Sequence, residues 1–277
     1  MTDLLIHSMS EFADIILGCL TAADAREIVE VGAEFGGMSQ HLADHAGQRG
    51  GKLTSIDPAP KPAFLDWVAT ADHVRHLAQP SLEAMPGLAD VDAWVIDGDH
   101  NYYTVAHELA IADQLSRRAG QPLLAFLHEV SWPCARRDTY YAPDRIPAEW
   151  CQPYSFEGGM TLDSADLIPG RGFRGGGQFA AALHEGGPRN GVLTAVEDFL
   201  ASAHEEGRAL SFAFVPAVFG LGVVFASDAP WSAAVTDLLR PFHDNPLLTR
   251  MEENRLRNYL AVIDWQDRTN AEAQKAA

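Results

Sequence analysis

Glu27–Asp44, EIVEVGAEFGGMSQHLAD, is the stretch whose reading decides the fold. It begins as a short apolar run, the pattern of a strand covered on both faces. It turns on glycines at Gly32, Gly36 and Gly37, and GMSQHLAD then continues with helical spacing. A strand, a glycine turn and a helix together make the usual ligand-binding unit of open α/β sheets. The spacing here is GxxxGG, not the GxGxxG of a dinucleotide site, and an acid, Glu30, stands inside the strand end. A carboxylate there repels a pyrophosphate and attracts a cationic ligand.

Similar units repeat outward from this stretch. GKLTSID (51–57) is a second strand that ends on an acid, Asp57. HVRHLAQ (73–79) is a weaker third, VDAWVIDGDH (91–100) a strong fourth and QPLLAFLHEV (121–130) a fifth. Helical patterns fall between them at PAFLDWVATA (62–71) and YYTVAHELAIADQLSRR (102–118), with another before the first strand at residues 8–20. Strands alternating with helices imply a doubly wound, mostly parallel α/β sheet with helices on both faces. LSFAFVPAVFG (210–220) and LGVVFAS (221–227) meet at a glycine and read as an antiparallel hairpin. The chain reads as a single domain over 1–277. A helical segment covers 1–25, a loop-rich insertion or lid 131–190, and C-terminal helices 229–268, with a frayed tail after them. The last long helix carries Leu247, Leu248, Met251, Leu256, Tyr259, Leu260 and Ile263 on a stripe that faces the core or a partner.

Composition narrows the function. The 277 residues hold 38 acids against 20 Lys and Arg, a net charge of -18. A nucleic-acid partner needs a basic footprint, so a small-molecule substrate is expected and nucleic acid is not. Cys19, Cys134 and Cys151 are widely spaced, which suggests neither a zinc knuckle nor a disulfide framework but reduced thiols in a cytoplasm. The N-terminus lacks the pattern of a secretory signal, and no apolar run suits a membrane span. A homo-oligomer stays open.

Four motifs lie in order at predicted strand ends: VEVGAEFGG, TSIDP, VIDGDH and FLHEVSWP. Together with the closing hairpin, they resemble the class I S-adenosylmethionine-dependent methyltransferases. DAWVIDGDHNYYTVAHEL is similar to the IDGDH signature of a subgroup that acts mostly on small molecules. The resemblance covers roughly residues 25–130 and 191–227. It implies the seven-stranded Rossmann-like methyltransferase fold and S-adenosylmethionine as cofactor. Glu30, Gly32 and Gly36 would line the methionine and ribose, Asp57 would bind the ribose hydroxyls, Ser81 and Leu82 would sit by the adenine, and Asp97 would lie near the reacting centre.

Methyl transfer needs a nucleophile held in line and relieved of its proton. His100 and His128, at strand ends, are the candidate bases, with His128 favoured. Some relatives instead use a divalent ion held by acids at the positions of Asp97 and Glu129. Here His128 stands where they prefer an acid, so the metal-free route is favoured. Arg136, Arg137, Tyr140 and Tyr141 follow the fifth strand and are candidate substrate contacts. The expected reaction is O-methylation of a small molecule in secondary metabolism or sugar tailoring. N-methylation is the next choice. A fold member with a non-methyl, hydroxylase-like reaction, a non-catalytic binding module and a nicotinamide oxidoreductase are the further alternatives.

Overall fold

β1 (Glu27–Val31), β2 (Lys52–Ile56), β3 (Val74–Leu77), β4 (Ala93–Ile96) and β5 (Leu124–His128) are the five expected strands. In this computed structural model, which describes residues 5–276 and side chains to residue 269, they lie parallel. Between them run α1 (Ala13–Ala22, before β1), α2 (Gly37–Gln48), α3 (Pro62–Val68), α4 (Ser81–Ala84) and α5 (Tyr102–Ala119). The insertion carries β6 (Thr139–Tyr140), β7 (Tyr154–Ser155), β8 (Gly158–Thr161), β9 (Ser164–Pro169) and β10 (Ala180–Ala182). After it come α6 (Val192–Glu205), β11 (Leu210–Val215), β12 (Leu221–Ala226), α7 (Ser232–Leu239) and α8 (Pro246–Ala276).

The main sheet has the order β11-β12-β5-β4-β1-β2-β3, with β12 antiparallel to both β5 and β11. It is a seven-stranded, doubly wound, mostly parallel sheet closed by an antiparallel hairpin, as expected. β4 and β12 read as unbroken apolar runs because both faces are covered. Side chains alternate along each strand. Ile28, Leu53, Val95 and Phe126 enter a core with Ile16 and Leu20 of α1, Leu42 of α2 and Val235 of α7. Val29, Val31, Trp94, Ile96 and Leu127 enter the opposite core with Leu109 and Ala112 of α5 and Val196 of α6.

Strand order reverses between β1 and β4. From there the chain winds one way through β2 and β3 and the other way through β5. A crevice opens at the carboxyl ends of such a pair, and ligands of open α/β sheets bind there.

The sequence reading departs from the structure in three places. The expected helix over 8–20 begins as a 3-10 turn, Met9–Phe12, before α1. The tail expected to fray from residue 269 continues α8 to Ala276. The 131–190 segment is not a disordered loop. It folds into a three-stranded sheet, β6-β10-β7, and a hairpin, β8-β9. A buried acid, Asp138, ties it to the starts of α5 and α6. Its Oδ1 accepts from the backbone N–H groups of Tyr102 (2.7 Å) and Gly191 (2.6 Å), and its Oδ2 accepts from the Tyr140 hydroxyl (2.7 Å).

Candidate active site

The glycine turn is shaped by its neighbour across the crevice. Gly32 has φ +87°, and a Cβ built there would lie 2.1 Å from the Asp97 carbonyl oxygen. Only glycine lets the end of β1 come this close to the end of β4. Gly36, at φ +83°, starts α2 in the left-handed region, and Phe64 closes over it. Asp57, at the end of β2, holds the turn from the other side. Its Oδ2 accepts from the N–H groups of Ala33 (2.9 Å) and Glu34 (3.0 Å), and its Oδ1 from Ala59 (2.8 Å). The carboxylate is half-buried and fixed at the lip of the crevice, and one unused lone pair remains on Oδ1.

Glu30 does not line the ligand as expected. It is buried under the turn, where one oxygen accepts from Ser39 (2.6 Å) and Ser55 (2.7 Å) hydroxyls. Burial raises its pKa to about 7 against the pull of those two serines. It joins α2 and β2 to β1. Ser81 starts α4 after β3, buried, with Leu82 half-buried beside it.

The ends of β4 and β5 carry the ionisable cluster. Asp97 Oδ1 is shared by two imidazoles, His128 Nδ1 at 2.9 Å and His100 Nε2 at 3.2 Å. His128 Nε2 lies 2.9 Å from the Val218 carbonyl oxygen, which can only accept. Burial opposes charge on all three groups, yet the attraction between the acid and the two rings outweighs it. The Asp97 carboxyl falls well below its usual range, and His128 rises above its own. His128 is 2% exposed, and both of its nitrogens face acceptors, the Asp97 carboxylate and the Val218 carbonyl. It cannot accept a proton from a molecule in the crevice, which corrects its expected role as base.

His100 differs. Burial alone would lower its pKa, but Glu129 and then Asp97 raise it to about 9. Its Nδ1 faces Glu129 Oε2 at 3.8 Å, beyond a hydrogen bond. Glu129 adopts φ +58°, a strained conformation for a non-glycine residue that clusters at functional sites. The half-exposed ring of Tyr141 lies 6.4 Å from His100, centroid to centroid, and Phe179 lies 5.9 Å beyond Tyr141. These rings border the open side of the cluster.

The other expected substrate contacts are occupied elsewhere. Arg136 pairs bidentately with Glu197 of α6. Arg137 is 1% exposed and donates to the carbonyls of Ala182 and Ala165. Tyr140 is fully buried on Asp138. All three hold the insertion together, and only Tyr141 of the four reaches the site.

Two buried groups escaped the sequence reading. Asp138 gave no motif. Glu108 lies on the apolar face of α5, 0% exposed, and neither oxygen has a hydrogen-bond partner of normal geometry among the described residues. Burial raises its pKa to about 8, with Ser81 nearby opposing the rise. Its place among Val105, Leu109 and Ala112 on the inner face of α5 was the available signal.

Residues 29–123, the part of the chain that builds the crevice, match the model of the methyltransferase domain family. No curated protein sequence matches the chain. Among solved structures, the O-methyltransferase from Bacillus cereus in complex with SAH is 14% identical, with 80% of this chain and 84% of that chain covered and a TM-score of 0.48. TomG, an O-methyltransferase from Streptomyces achromogenes in complex with SAM, is 17% identical over 82% and 83% of the two chains, with a TM-score of 0.45. The SAH-bound methyltransferase PaMTH1 from Podospora anserina is 14% identical over 78% of each chain, with a TM-score of 0.45.

Proposed function

We propose that this chain is an S-adenosylmethionine-dependent methyltransferase that methylates a hydroxyl of a small molecule. One observation carries the reading. The Asp97–His100 pair stands at the mouth of the β1–β4 crevice, beside a glycine turn packed so closely that a Cβ at Gly32 would lie 2.1 Å from the Asp97 carbonyl oxygen. The segment that matches the methyltransferase domain contains all of these residues.

The cofactor supplies the electrophile, a methyl group on a cationic sulfur. The residues of this chain bind, orient and move a proton. Asp57 offers its remaining lone pair to a ribose hydroxyl, and Ser81 and Leu82 border the adenine end. Asp97 accepts from His100 Nε2–H, which leaves Nδ1 as the basic nitrogen. That nitrogen would take the acceptor's proton as the oxygen attacks. A sulfonium near the cluster opposes the positive charge on His100, so its pKa falls from about 9 when the cofactor binds. His128 keeps Asp97 ionised and in place. Tyr141 and Phe179 flank the acceptor.

The metal route through Asp97 and Glu129 does not fit these side chains. Two imidazoles already share Asp97 Oδ1, and His128 fills the place of a further acid with both nitrogens engaged. A hard ion such as Mg2+ needs several oxygen donors, and this set lacks them.

Calorimetry with S-adenosylhomocysteine and with NAD tests the cofactor. Heat with the first and none with the second is expected, and the reverse overturns the reading. Transfer of labelled methyl groups to a panel of phenols, sugars and amines then tests the acceptor, with oxygen acceptors expected to be labelled.

A further inference from the structure

We propose that His100, Glu129 and Cys134 form a binding site for a borderline transition-metal ion of the Zn2+ class, sharing Glu129 with the Asp97–Glu129 pair but adding a thiol and an imidazole. The three donor atoms, Nδ1, a carboxylate oxygen and Sγ, all lie within 4.8 Å of one another. Within this cluster, His100 Nδ1 and Glu129 Oε2 are 3.8 Å apart. Zinc bonds of about 2.0–2.3 Å at tetrahedral angles put neighbouring donors about 3.3–3.7 Å apart, so donors within 4.8 Å of one another must close by up to about 1 Å. Three protein donors leave a fourth position, the pattern of zinc sites that bind a further ligand.

The surroundings suit a metal as well as the donors do. His100 Nε2 is held by the Asp97 carboxylate at 3.2 Å, which sets the tautomer that presents Nδ1. A carboxylate behind a ligating histidine is the usual outer support of such sites. The backbone is pinned on both sides of the cluster. Thr139 N–H donates to the His100 carbonyl (3.0 Å) and Val192 N–H to the Cys134 carbonyl (2.8 Å). Cys134 is 2% exposed, so water does not compete for its sulfur. Thiolate and imidazole select zinc-class ions over magnesium. Nothing in the proposed methyl transfer uses Cys134. The ion and the acceptor's proton would compete for His100 Nδ1, so zinc-loaded protein should lose the methyl transfer that metal-free protein keeps.

The test uses the full chain, stripped with a chelator and dialysed against zinc chloride with magnesium chloride in excess. One zinc per chain is expected. Cys134→Ser and Glu129→Gln should each weaken zinc by about tenfold or more, while Cys151→Ser should not. Cobalt chloride gives a reading that does not depend on the variants folding well. The wild-type protein should show near-ultraviolet absorption from thiolate to cobalt. Wild-type protein without stoichiometric zinc, cobalt protein without the thiolate band, or a folded Cys134→Ser that keeps zinc would each overturn the site. S-adenosylhomocysteine affinity, measured on the same metal-free protein, reports separately on the methyltransferase reading.

Discussion

His100 and His128 are the same residue type at neighbouring strand ends, and hydrogen bonds alone separate their roles. His128 commits both nitrogens to Asp97 and Val218, whereas His100 keeps Nδ1 without a hydrogen bond. A base must be neutral to act, so kcat/KM should climb about tenfold per pH unit until it levels near the His100 pKa of about 9. His100→Ala should lose that slope and about 10²–10⁴ of the rate. An unchanged pH profile in His100→Ala would remove it from the mechanism. Asp57 offers a second test. It accepts three backbone N–H bonds, so Asp57→Ala should cost about 1–3 kcal/mol of stability as well as weaken S-adenosylhomocysteine. Denaturant titration and calorimetry on the same variant check both. Gly32→Ala has no room beside the Asp97 carbonyl and should cost more than Gly50→Ala, which has a positive φ but open space.

At the scale of elements, the insertion is the part that propensity misjudged. Its glycine and proline content suggests a loose loop, but Asp138, Arg137 and Tyr140 give it a polar core against α5 and β10. Arg171 and Arg174 also reach Asp264 and Asp267 on α8. Mobility on substrate binding is therefore expected at the Gly175–Gly177 tip and not through 155–190 as a whole. Gly176 and Gly177 are exposed, with φ +56° and +86°. Hydrogen exchange should show fast amides at 175–178 and protected amides in β8 and β10. Such partly exposed ion pairs add little to stability, so Asp264→Asn with Asp267→Asn should speed exchange in 171–179 with little change in melting temperature.

Over the whole molecule, buried titratable groups give stability a definite slope with pH. Glu30 and Glu108 have folded pKa values of about 7 and about 8, above the unfolded range of carboxyls. Their neutral form is favoured by the fold, so stability is lost as pH rises from about 4.5 through these values. His100 is also raised, to about 9. Its contribution is complete below about pH 6.5 and is lost as pH rises through about 9. Asp97 is depressed, so its contribution exists above about pH 4 and is lost on acidification. Melting temperature should therefore peak in mild acid and fall toward pH 9. Glu108→Gln should recover about 1–3 kcal/mol of the alkaline loss, and an equal alkaline loss in that variant would reject the assignment. No helix among the described residues is long and apolar enough to cross a membrane. With a net charge of -18, binding to duplex DNA near physiological salt is not expected, and fluorescence anisotropy checks it.

The sequence by itself determined the order of the main-sheet strands, the glycine turn and the acids that end β2 and β4. These are local signals, because apolar runs, turn residues and their spacing act over a few residues at a time. Tertiary structure alone decided which ionisable groups face the crevice. Glu30 and Asp57 both look like ligand contacts, yet Ser39 and Ser55 bury one, while the turn leaves the other at the lip. Arg136, Arg137 and Tyr140 look like a substrate clamp, yet their partners lie about 30–60 residues away or on a neighbouring buried acid. Charge and hydrogen bonding depend on neighbours brought in by the fold, so a residue's type marks what it can do and its packing decides what it does.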